Sequence, residues 1–147
     1  MSSFQVIVGS MLGGSEYVAE ACEETLTGLG HQVAVHFQPD FAQISRENQT
    51  WLICTSTHGA GDYPDNIQAF VTDLENTDQD LSSLNILTIG IGDSSYDTFC
   101  YAAKNLNKLL LSKGCKEKLS LLTLDMSEDI DPEERSQSWL NENKDHL

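Results

Sequence analysis

Cations are scarce in this chain. Lysine and arginine are missing from residues 1–45 and again from 47–103, leaving Arg46 alone between the two stretches. Over the full length 8 Lys and Arg face 23 Asp and Glu, a formal net charge of −15. A surface of that sign repels a phosphate backbone, so nucleic acid is excluded as a partner. It suits a basic protein surface, drawn in at long range by an attraction that weakens with salt. Plain solubility is the alternative reading of the same charge. Lys104, Lys108, Lys113, Lys116 and Lys118 fall mostly in a late helix and strand.

Paired cysteines are missing too. Cys22, Cys54, Cys100 and Cys115 are scattered, with no CxxC, so neither a zinc site nor a thioredoxin-type motif is signalled. They read as free thiols, some of them core filler. His31, His36, His58 and His146 show no ligand spacing, and no metal is expected. No apolar run approaches the roughly 18–20 residues of a membrane span. Met1-Ser2-Ser3-Phe4 lacks the basic region and apolar stretch of a signal peptide, so a cytoplasmic protein is expected. At 147 residues, without repeat or linker, the chain reads as one domain, 1–147, with a sizeable core.

Against these absences stand three stretches of one design. Phe4–Gly9 is a short apolar, β-branched run that reads as a buried strand, and a helix opens at Glu16. Between them lies Ser10-Met11-Leu12-Gly13-Gly14-Ser15. Thr50–Thr55 is a second buried run, ending in Ser56-Thr57-His58-Gly59-Ala60-Gly61-Asp62. Leu84–Gly92 is a third, ending in Asp93-Ser94-Ser95-Tyr96-Asp97-Thr98. His31–Phe37 alternates as a strand with one polar face, and Leu119–Leu124, ending at Asp125, is the last strand. Helical spacing of apolar residues follows the first, third and fourth strands. A short helical turn is expected within Phe41–Asn48. Asp131 and Pro132 cap and open a terminal helix that Trp139 and Leu140 anchor.

Five strands alternating with helices predict a parallel sheet covered on both faces, joined by right-handed crossovers. Ligands of such folds sit at the carboxyl ends of the strands, where strand order reverses. All three polar loops would share that edge, which points to one composite site.

The first loop suits a phosphate. It aims backbone amides and the positive end of a helix at one point. Ser10 and Ser15 add hydroxyls, and Gly13 and Gly14 let the backbone approach closely. A tight turn with glycine for steric relief is the plainer alternative. GxxxxGK[ST] and GxGxxG are both absent, which excludes the usual nucleotide-hydrolysing and dinucleotide loops. The other two loops suit a flat ring with polar edges. Tyr96 offers an aromatic face and His58 a smaller one, while Gly59 and Gly61 expose amides to ring heteroatoms. The alternatives are an aromatic folded onto the domain's edge and an ordinary exposed loop histidine.

Across essentially its whole length the chain resembles the flavodoxin family. Residues 9–15 are similar to the flavin phosphate loop, commonly T-x-T-G-x-T. Residues 56–62 and 92–100 are similar to the two isoalloxazine loops, the second close to the FMN domains of diflavin reductases. Together they look most like the small MioC-type flavodoxins, and the last strand shows no long insertion, which implies the short-chain form. The resemblance implies a three-layer α/β sandwich with a five-stranded parallel sheet in the order 2-1-3-4-5. It implies noncovalent FMN, held by Ser10, Met11, Leu12, Gly13, Gly14, Ser15, by Ser56, Thr57, His58, Gly59, Ala60, Gly61, and by Gly92, Asp93, Ser94, Tyr96, Phe99, Cys100 and Asp125. Gly59 matches the residue whose peptide meets the flavin's central-ring nitrogen. No residue acts as acid–base catalyst in this account.

The implied function is one-electron transfer, from an NADPH-dependent flavodoxin or ferredoxin reductase to an iron–sulfur or similar acceptor with a basic docking surface, with biotin synthesis as one acceptor pathway. The acidic surround is expected to lower the second reduction potential. Leu12, often Thr in relatives, and His58, often aromatic, imply a looser flavin site. They also favour the rival, a non-redox module of the same fold with weak flavin affinity. An FMN-dependent quinone reductase is a third reading.

Overall fold

The computed structural model describes residues 2–10 and 14–147. The described residues form, in chain order, β1 (Ser3–Gly9), α1 (Gly14–Gly28), β2 (Gln32–His36), β3 (Thr50–Ser56), α2 (Asp65–Asn76), β4 (Asn85–Gly92), α3 (Tyr101–Ser112), β5 (Lys116–Glu117), β6 (Leu122–Asp125) and α4 (Pro132–Glu142). A short 3-10 turn, Phe41–Gln43, lies in the connection after β2. The sheet runs β2-β1-β3-β4-β5, all parallel, with β6 also paired to β4. This is the expected doubly wound order, reversing between β1 and β3.

The pleat sorts the apolar residues to two faces. Phe4, Val6, Val8, Leu52, Cys54, Leu87 and Ile89 pack with Val18, Cys22 and Leu26 of α1 and Trp139 and Leu140 of α4. Ile7, Trp51, Ile53 and Ile86 pack with Ile67, Phe70 and Leu74 of α2 and Leu106 and Leu110 of α3. On this second face Trp51, Phe70 and Phe41 form an aromatic cluster in which Phe41 meets the other two rings edge-on.

The last strand departs from expectation. It is two short pieces, β5 and β6, rather than one run from Leu119. Between the two pairings β4 advances from Ile86 to Ile89, while the edge chain advances from Glu117 to Leu122. Two extra residues are thus accommodated as a bulge-like excursion. Asn107 of α3 steadies the first piece: its amide nitrogen donates to Glu117 Oε2 at 2.8 Å, and its Oδ1 accepts from Thr88 Oγ1 at 2.7 Å. Other limits shift by a residue or two. α3 opens at Tyr101 rather than Phe99, because Cys100 takes a left-handed backbone, φ 54°. The terminal helix starts as expected, with Asp131 Oδ1 accepting from the amides of Glu133 and Glu134.

Candidate functional site

Parallel register brings the ends of three strands into one row. Gly9 of β1 pairs with Thr55 of β3, and Thr55 pairs with Gly90 of β4. The three polar loops therefore leave the same edge side by side. Of the first loop, Ser10, Gly14 and Ser15 are described; Met11, Leu12 and Gly13 lie outside the described residues.

Asn66, in the first turn of α2, secures the start of that loop. Its Oδ1 accepts from Ser10 N at 3.0 Å, and its Nδ2 donates to the carbonyls of Val8 and Phe37 at 2.6 and 3.0 Å. Ser15, second in α1, is 1% exposed, and its hydroxyl has no hydrogen-bond partner among the described residues. A buried hydroxyl without a partner is costly unless something outside the protein satisfies it.

The second and third loops enclose a cleft of about 450 Å³ lined by Ser56, Thr57, Gly59, Gly92, Asp93, Tyr96, Phe99 and Cys100, together with Ile91, Thr98 and Met126. Two polar ties fix its walls. Thr57 Oγ1 accepts from Ala102 N at 3.1 Å, locking the second loop to the first turn of α3. Asp125 Oδ1, at the end of β6, accepts from the amides of Ser94 and Ser127, both at 3.0 Å, and from the Ser127 hydroxyl at 2.7 Å. Ser94 and then Ser127 hold the Asp125 carboxyl well below the usual carboxylate range. In this structure Asp125 clasps two loops together.

Two glycines shape the cleft loops and the helix behind them. Gly59 has φ +52°, in the left-handed region. A Cβ on Gly90 would stand 2.8 Å from the Ala103 Cβ, so α3 lies on bare backbone there. Cys100 fills the same seam, 1% exposed, its thiol pushed up to about 11 chiefly by burial. Cys22, Cys54 and Cys115 are likewise free and buried.

His58, Ala60 and Gly61 do not line the cleft. The His58 and Asp62 backbones exchange two 2.8 Å hydrogen bonds, closing a tight turn with the His58 side chain exposed. Ile91, Thr98 and Met126 were not singled out from sequence, and neither was Asn66. Met126 enters through a fourth loop, after β6, tied to β4 by Met126 N donating to Gly92 O at 2.7 Å. Its place follows from β6 lying beside β4, which residue types alone do not reveal.

A family model described as Flavodoxin matches residues 6–139. The chain belongs to the flavodoxin family. It is 42% identical over 135 residues to a protein named MioC homolog from Pasteurella multocida, covering 92% of this chain and 91% of that one. It is 37% identical over 140 residues to protein MioC from Escherichia coli K12, covering 95% of each. A cysteine-to-alanine mutant of flavodoxin from Pseudomonas aeruginosa superposes with a TM-score of 0.89 at 29% identity, over 99% of this chain and 98% of that one.

The flavodoxin cofactor is FMN, and the residues present fit it. The buried Ser15 hydroxyl, without a partner among the described residues and beside the opening of α1, is a donor available to a phosphate oxygen. The cleft walls mix aromatic and apolar side chains, Tyr96, Phe99, Ile91 and Met126, with hydroxyls of Ser56 and Thr57, which matches a flat ring with polar edges. Among the described residues no group of carboxylates, histidines and cysteines is arranged to hold a metal ion, and no helix is long and apolar enough to cross a membrane.

Proposed function

We propose that this flavodoxin is a one-electron carrier that takes electrons from an NADPH-dependent flavodoxin or ferredoxin reductase and delivers them to an iron–sulfur or similar acceptor. Bound FMN supplies the electron acceptance and release. The chain's residues bind, orient and insulate it. Ser10, Gly14, Ser15 and the intervening residues would hold the phosphate without a lysine. Ser56, Thr57, Gly59, Gly92, Asp93, Tyr96, Phe99 and Cys100 would seat the ring, with His58, Ala60 and Gly61 shaping the turn beside it. Ser94 and Asp125 act on the third loop through their mutual hydrogen bond. Biotin synthesis is one acceptor pathway that this reading admits.

The observation that carries this reading is the cleft itself, whose lining sets Tyr96, Phe99 and Met126 beside Ser56, Thr57 and Asp93 and so fits a flat ring with polar edges. The test is reconstitution with FMN followed by reduction with NADPH. The reading expects rapid reduction only when a flavodoxin reductase is added. NADPH oxidation without it would favour the quinone-reductase reading, and failure to retain FMN would favour the non-redox module.

A further inference from the structure

The loops around the cleft contain no lysine or arginine, yet a cation rests against one of the residues that line it. Lys104 lies one turn into α3, exposed, with its ammonium 5.2 Å from the centroid of the Phe99 ring and 5.9 Å from that of Tyr101. Phe99 lines the cleft, and Tyr101 follows the cleft-lining Cys100. A lysine resting on ring faces is restrained relative to one free in solvent. Its charge also reaches the cleft floor: burial raises the Cys100 thiol, the Lys104 ammonium pulls it down, and the Asp125 carboxylate pushes it up.

We propose that Lys104 sets the reduction potential of the bound cofactor, its ammonium over Phe99 favouring the negative charge that electrons bring into the cleft. This rests on the reading of the cleft as the seat of the flavin ring. An electron added without a proton places one unit of negative charge there, against the field of a molecule carrying −15. A cation restrained on the cleft-lining Phe99 offsets part of that field locally. The next two lysines in the chain, Lys108 in α3 and Lys113 just past its end, are placed differently. Lys108 lies about 6 Å further along the axis at 1.5 Å per residue. Lys113 is engaged with the carbonyls of Glu75 and Thr77 at 2.9 and 3.4 Å. Lys108→Gln therefore removes the same charge from the molecule at greater distance from the ring, and serves as the control.

The experiment is spectroelectrochemical titration of the FMN-loaded protein at low ionic strength and again near 0.15 M salt. Lys104→Gln should lower the ratio of reduced to oxidised FMN affinity by about threefold, and Lys104→Glu, with twice the charge change, by about tenfold. Lys104→Arg should stay near the parent, Lys108→Gln should move far less than Lys104→Gln, and all shifts should shrink with salt. Equal potentials in Lys104→Gln and Lys108→Gln, with FMN still bound, would overturn the inference and leave the carrier reading standing. Failure of the parent to bind FMN would overturn both.

Discussion

Tyr96 lines the cleft and is 68% exposed, so its ring is accessible to a flat ligand. A flat ligand stacked on it would gain about 0.5–1.5 kcal/mol beyond area burial. An electron-rich phenol also disfavours the electron-rich reduced ring more than the oxidised one. Tyr96→Ala should therefore weaken oxidised FMN binding, relieve quenching of flavin fluorescence and raise the second reduction potential. Unchanged fluorescence, affinity and potentials would remove the tyrosine from the ring. At this scale the sequence was informative where chemistry is carried by the side chain's own type. Tyr96 in a Ser- and Asp-rich loop was legible as a cleft residue. Met126 and Asn66 were not, because one depends on which strand lies beside β4 and the other on which carbonyls meet the first turn of α2.

Packing of α3 against β4 shapes the cleft at the level of elements. Cys100, left-handed at φ 54°, turns the chain into the helix, while Gly90 leaves room for Ala103. Gly90→Val would put its side chain into Ala103 and Cys100, and overpacking of this kind costs about 1–3 kcal/mol. Chemical denaturation should show that loss. FMN affinity should fall with it, since displacing α3 also shifts the Thr57–Ala102 hydrogen bond. Undiminished stability would mean that the helix can move outward freely. The buried strands β1, β3 and β4 were legible as apolar, β-branched runs, because residues covered on both faces leave that trace. The break between β5 and β6 was not. Leu119-Ser120-Leu121-Leu122 reads as the start of one strand, and the two extra residues appear only when both registers against β4 are compared.

For the whole molecule, the dominant property is a field of one sign. The net charge of −15 is carried by a chain whose cleft loops hold aspartates and no cation. Asp62 ends the second loop, Asp65 follows it and Asp97 lies in the third; all three are exposed at the cleft's end of the sheet. A basic partner approaching that edge is steered toward the cofactor, and such steering raises association rates by about 10–1000-fold at low salt. Converting Asp62, Asp65 and Asp97 together to Asn removes three of those charges without adding bulk. Reduction by a partner reductase, followed by stopped-flow absorbance, should slow by about tenfold at low ionic strength. The difference from the parent should close as salt rises, because the Debye length falls to about 8 Å near physiological strength. The maximal rate at saturating reductase should stay the same, since the substitutions alter encounter and leave the cleft walls intact. A triple variant that matches the parent at every salt concentration would show that docking does not use this acidic edge.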